Sequence, residues 1–283
     1  MAGRLFGGRR LASLVVAVTV VVAACALIFS ISGGVSRVSD ATVSFSPTSI
    51  TGVHCPKVAP VKGPVAPVSV AEKRALTRLA RVEAAPQLAS AQTGMTNDPG
   101  DAIAVNLSVA ERNALMSELR RAAEASCHLL TVAAAESAGY YLASPYVDGV
   151  GTHWVNWDYV DRPFDPARPS MLLFKTTGGV ARLAGFSYWV RSAAPPSGFS
   201  GPLDHWHRHS GLCFRAGIWI GEQLTRSECN GVWLNGRYLW MLHAWVVPNN
   251  ENPAGIFAPR SNSLCRPRTP EIDACPGRRR PGD

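Results

Sequence analysis

Three of the seven histidines of this chain fall within five residues, in Asp204-His205-Trp206-His207-Arg208-His209. Imidazole is a ligand for transition metals and a proton carrier near neutral pH. Alternation matters because residues i, i+2 and i+4 of a strand share a face. An extended 203–209 segment therefore presents His205, His207 and His209 together, with Asp204, Trp206 and Arg208 behind them. Neighbouring members of the trio lie about 6.6 Å apart along the strand, and the outer two about 13 Å apart. Bonds of about 2.0–2.1 Å let two of them reach one ion but not all three. The remaining ligands must come from elsewhere. His243 sits in the very hydrophobic run Tyr238 to Trp245, and His153 follows Gly151 at the start of another candidate strand. His153, His205, His207, His209 and His243 are thus the candidate ligands of a transition-metal ion, Zn, Cu, Mn or Fe. The competing reading of each lone histidine is a core residue bonded to a backbone carbonyl. Asp204 is a candidate to orient a histidine, or a turn cap after Pro202. Glu222 is a candidate carboxylate ligand or base, although Gly221-Glu222-Gln223 also reads as an ordinary hairpin turn.

Other chemistries find no template. There is no G-x-S-x-G elbow, P-loop, H-E-x-x-H or G-x-G-x-x-G. No C-x-x-C occurs either, which disfavours a thiolate zinc site or a thioredoxin-type centre.

The elements that must position the histidines are read from patterning. Candidate strands cover 152–157, 171–175, 181–191, 203–209, 213–220, 231–234 and 238–247. Thr176-Thr177-Gly178-Gly179 joins two of them as a hairpin. Upstream, Ser108-Val109-Ala110-Glu111 is a capping box, in which serine and glutamate satisfy each other's end of a helix start. Leu115, Leu119, Ala122, Ala123, Leu129, Leu130 and Ala133 continue it as one buried stripe. The phrase recurs at Ser69-Val70-Ala71-Glu72, as a diverged repeat or as a good helix start used twice. The expected fold class is α+β: an N-terminal transmembrane helix, a helical segment, then a mainly antiparallel β sandwich or small barrel. The expected divisions are a signal anchor over 1–32, a linker over 33–68, a helical segment over 69–145, a histidine-containing β domain over 146–265 and a basic tail over 266–283.

Leu11 to Ile31 carries no charge and is long enough to span a bilayer. Arg4, Arg9 and Arg10 precede it, so the N-terminus is expected in the cytoplasm and the rest outside. An uncleaved, single-pass anchor in the cell membrane is the favoured reading. A cleaved signal would give a secreted protein, and Val22-Ala23-Ala24-Cys25 resembles a lipobox that would give a lipid anchor. Of 283 residues, 47% are hydrophobic and 17% charged, enough for a packed core. The net charge of +8 is concentrated partly in the two ends, and no basic helix or aromatic-basic interleaving points to nucleic acid. Beyond Cys25 there are six cysteines, consistent with disulfides in an oxidising compartment. Six allow 15 pairings. Short loops favour Cys213–Cys229 and Cys265–Cys275, leaving Cys55–Cys127.

In combination, Gly139-Tyr140, Gly151-x-His153-Trp154-Val155-Asn156, Asp165-Pro166-x-Arg168-Pro169, Leu242-His243-x-Trp245 and Asn252-Pro253-x-Gly255-x-Phe257, followed by Asn262 and Cys265, resemble a family of exported bacterial proteins. The resemblance covers roughly 110–265. It implies that His153 and His243 belong to one site, and it implies no reaction. A looser similarity to cupins rests on H-x-H with a later histidine. It departs from them in lacking the glutamate after His207 and the second cupin motif. Two functions follow as expectations. One is a membrane-anchored extracytoplasmic protein with a histidine metal site. The other is a metal-free, disulfide-stabilised ectodomain that binds or scaffolds an envelope partner or small molecule.

Overall fold

The computed structural model describes residues 43–45, 50, 52–58 and 105–265. The anchor over 1–32, most of the linker, the helix start at Ser69 and the basic tail lie outside the described residues. Among the described residues no helix is long and apolar enough to cross a membrane.

A short ribbon opens the described chain, with β1 (Val43–Phe45) antiparallel to β2 (Val105–Leu107). Helix α1 (Val109–Ser126) follows, and its N-terminus carries the capping box in full. Glu111 N–H donates to Ser108 Oγ, and the Glu111 carboxylate accepts from Ser108 N–H. Leu115, Leu119, Ala122 and Ala123 form its buried stripe, but the helix stops at Ser126, so the expected continuation through Leu129, Leu130 and Ala133 does not form and Ala133 is exposed in the next helix. The short helix α2 (Val132–Ser137) is capped by Thr131.

From residue 141 the chain is mostly antiparallel sheet. Strands β3 (Tyr141–Leu142), β4 (Thr152–Val155), β5 (Met171–Thr177), β6 (Val180–Arg191), β7 (His207–Arg208) and β11 (Leu239–Ala244) form one sheet in the order β3-β4-β5-β6-β11-β7. Helix α3 (Trp157–Val160) leaves β4. A second sheet, ordered β10-β8-β9, contains β8 (Leu212–Arg215), β9 (Ile218–Gly221) and β10 (Val232–Leu234). The β5–β6 hairpin turns at Gly178 and Gly179, both at positive φ, the backbone that a tight two-residue hairpin turn requires.

The large sheet separates its side chains by alternation. One face presents Trp154, Leu172, Phe174, Phe186, Tyr188, Leu242 and Ala244, packed with the α1 stripe in the main core. The opposite face presents Val155, Met171, Trp189, Leu239 and Met241 to Leu212, Phe214 and Leu234 of the small sheet. Leu173, Ala184 and Trp245 form a third cluster with Ala258 and Leu264 from the C-terminal loop. Cys213–Cys229 ties the small sheet to the loop after it, and Cys55–Cys127 ties the upstream segment to the end of α1. Cys265 is also disulfide-bonded, to a residue outside the described set.

Two expected strands differ from what forms. The 213–220 run is two strands, because Ala216 and Gly217 both take positive φ and reverse the chain. The 203–209 run is extended only at His207–Arg208. Upstream of it the Asp204 carboxylate accepts from Phe199 N–H and from the Trp206 indole, which folds 199–206 back as a loop.

Candidate metal centre

The histidines meet on the face of the large sheet that looks toward the small one. On β4, His153 shares its face with Val155. On β11, His243 shares its face with Met241, and the register sets it opposite Ser187 of β6. Three strand spacings separate β4 from β11, about 14 Å in a flat sheet. The two rings are nevertheless 6.5 Å apart between centroids. The sheet is therefore curled and both rings lean inward. Gly185 and Ser187 leave room between them, and a Cβ at Gly185 would lie 2.7 Å from the Trp245 ring.

Strand β7 adds His207 opposite Met241, which puts it diagonal to His243, with ring centroids 5.4 Å apart. His209, two residues on, lies 5.1 Å from His207. Glu222, at the end of β9, reaches His209 at 2.7 Å between Oε2 and Nδ1. The chain gets there through backbone bonds, Gln223 N–H to Ser210 O and Leu224 N–H to Gly211 O, which fold the 221–224 turn against 209–211. Gly236 permits the approach from the other side, since a Cβ there would collide with His209 O. His153, His207, His209, His243 and Glu222 line one cavity together with Ser144 and Arg260. Of the five candidate histidines, His205 alone does not line it. Its carbonyl instead takes the His207 Nδ1 contact at 3.4 Å.

Hydrogen bonding fixes the tautomers. A carbonyl oxygen only accepts, so His243 Nδ1 carries its proton toward Pro259 O at 2.7 Å, and His207 Nδ1 toward His205 O. Glu222 accepts from His209 Nδ1. The Ser144 hydroxyl donates to Pro145 O and accepts from the backbone N–H of His153, so its oxygen accepts His153 Nδ1–H at 2.8 Å. In all four rings the outer nitrogen, Nδ1, is the donor. His153, His207 and His243 each keep a lone pair on Nε2. His243 is 5% exposed and its Nε2 has no partner. Burial lowers the pKa of His153 and of His207 to about 4, with the neighbouring His209 adding to it, and holds His243 well below its usual value. These three rings are neutral at pH 7, as ligation requires. Glu222 is held below its usual value mainly by its bond to His209.

Two loops supply the outer partners. Trp245 N–H donates to Ile256 O and its indole to Ala258 O, which pins the 256–260 segment over His243. Asn252 Nδ2 bonds Arg260 O. The sequence elements Leu242-His243-x-Trp245 and Asn252-Pro253-x-Gly255-x-Phe257 thus build one unit, whose Pro259 carbonyl orients His243. On β3's side, Ala143 N–H bonds His153 O, which seats Ser144 beside the His153 ring.

Zinc bound through Nε2 at about 2.0–2.1 Å puts ring centres about 3 Å from the ion, and about 5 Å from one another in a tetrahedral shell. The two pairs at 5.1 and 5.4 Å match that spacing, and the His153–His243 pair at 6.5 Å is wider. As the side chains stand, no group of three or more His, Cys, Asp or Glu among the described residues is arranged to hold an ion. His54 and His128, beside cysteines, are not among the cavity's lining residues.

No family model, curated protein or solved structure matches the chain. The site is therefore read from its own geometry.

Proposed function

We propose that this chain is an extracytoplasmic protein, anchored through Leu11 to Ile31, whose β domain binds one transition-metal ion through Nε2 of His153, His207, His209 and His243. One observation carries the reading: four rings line one cavity, and each has its Nδ1 engaged by an oxygen, of Ser144, His205, Glu222 or Pro259. Histidine ligands characteristically donate the distal N–H to a carboxylate, carbonyl or hydroxyl, which fixes the tautomer and the ring plane. An all-imidazole set suits Zn, Cu or Fe, and Mn less. The disulfides fit an oxidising compartment. The test is metal content of the exported chain, purified without a polyhistidine tag, beside His243→Ala.

A metal-free binding domain is the second reading. It is favoured by the absence, among the described residues, of a three-ligand group already arranged for an ion. The same disulfide-stabilised sheet would then use its cavity for a small molecule, with the histidines as hydrogen-bonding groups. Failure of the chain to take up Zn, Cu, Mn or Fe decides for this reading.

A further inference from the structure

The histidines occupy only one wall of their cavity. The other wall is apolar, formed by Met171, Trp189, Leu212, Phe214, Trp219 and Met241. The cavity volume is about 150 Å³. An apolar cavity of about 150 Å³ accommodates a molecule the size of benzene. Two thioethers and three aromatic rings suit an aromatic guest in particular, through sulfur–ring and edge-to-face contacts.

The polar demands of the cavity are equally specific. His243 Nε2 is a buried lone pair without a partner. Trp189 is 3% exposed, lines the same cavity, and its indole N–H has no partner either. Met241 pairs with Trp189 across β11 and β6, and His243 with Ser187, so Trp189 and His243 are diagonal neighbours on one face. Diagonal neighbours about 7–8 Å apart are still within reach of each other's aromatic side chains, so both can meet one oxygen atom. One orphan accepts a proton and the other donates one. A carboxylate offers only acceptors, an ammonium only donors, and a hydrocarbon neither. A hydroxyl offers both.

We propose that this cavity binds a single-ring phenol, its ring against Met171, Phe214 and Met241 and its hydroxyl among Trp189 and the histidines. The proposal rests on the metal reading only for what the oxygen meets. With an ion bound it is the ion, and without one it is His243 Nε2.

The test is calorimetric titration of the full exported chain with phenol, benzene and benzoate, each in the metal-free and the zinc-reconstituted protein. Phenol is expected to bind saturably, at least tenfold more tightly than benzene or benzoate. Trp189→Phe is expected to erase most of the preference for phenol over benzene. Should that variant misfold, the three-ligand comparison on the unaltered chain still decides. No saturable phenol binding to folded protein in either metal state would overturn the proposal, as would benzene or benzoate binding as tightly as phenol. Phenol binding without zinc uptake would sink the metal reading alone. Zinc uptake without phenol binding would sink this one alone.

Discussion

At the scale of single residues, the site is defined by which nitrogen carries the proton. Ser144, Glu222 and the Pro259 carbonyl each take an Nδ1–H and leave Nε2 bare. Partners of this kind, when removed from metal-bound histidines, characteristically cost 10–100-fold in affinity. Ser144→Ala should therefore weaken zinc binding by about 10–100-fold without altering the folded β signature, measured by competition against a chromophoric chelator. Glu222→Gln should weaken it less than Glu222→Ala, because the amide oxygen can still accept from His209. Glu222 also marks the limit of reading residues singly. The sequence suggests either a ligand or a hairpin turn, and the structure makes it the turn-end residue that orients His209. Thirteen positions separate the two. The β8–β9 pairing of Cys213 with Gly221 and the backbone bonds to Ser210 and Gly211 bring them together, and no local spacing encodes those.

Secondary-structure elements explain why some of the site was legible and some not. The Ser108 capping box and the Gly178-Gly179 hairpin are local devices and form where their residues specify them, while the α1 stripe forms only as far as Ala123. The alternation in Tyr238 to Trp245 likewise puts His243 and Met241 on one face. Alternation alone misled at 203–209. There Asp204 closes a loop by accepting from Phe199 and Trp206, so the extended stretch is confined to two residues and His205 turns out of the cavity. Burial raises the Asp204 pKa to about 6, with Glu118 adding a smaller push in the same direction. Between about pH 4 and 6 the folded chain holds that proton and the unfolded chain has released it. The unfolded state thus binds fewer protons, and this carboxyl's contribution to stability falls as pH rises through that window. It is constant above it. Asp204→Asn keeps an acceptor for both donors and removes the titration. At pH 7 it should be more stable than the parent, by up to about 3 kcal/mol, with the gap closing toward pH 4 in paired denaturant melts. A gap independent of pH would show that Asp204 is not the group responsible. At the other end of the site, Gly185→Ala should lower stability and displace Trp245, because its Cβ would enter the indole ring. Loss of near-ultraviolet circular dichroism from Trp245 would register it.

Among the described residues the fold is a two-faced antiparallel sheet, with helix α1 on one side and the small sheet on the other. The histidine cavity lies on the latter side. The β-rich character of the region was foreseeable from its short strands. The split of the 213–220 run into two strands was not, because it depends on Ala216 and Gly217 reversing what reads as one strand. The small sheet supplies Leu212, Phe214 and Glu222 to the cavity, and Cys213–Cys229 secures it. A bridge closing a loop of about 15 residues contributes about 3 kcal/mol. Cys213→Ser with Cys229→Ser should cost about that much stability. It should also weaken metal binding, since the strands that hold Glu222 and Phe214 lose their tether. A double variant as stable as the parent would mean that the small sheet is held by its apolar contacts alone.

The most direct measurement of the central claim is elemental analysis of the exported chain, folded and free of any polyhistidine tag. It should be made after reconstitution with Zn, Cu, Mn and Fe in turn, beside His207→Ala and His243→Ala. Close to one ion per chain is expected, lost in both variants, with each variant still showing the β-sheet signature of the parent. A folded parent that takes up none of the four metals, or variants that retain the ion, would contradict it.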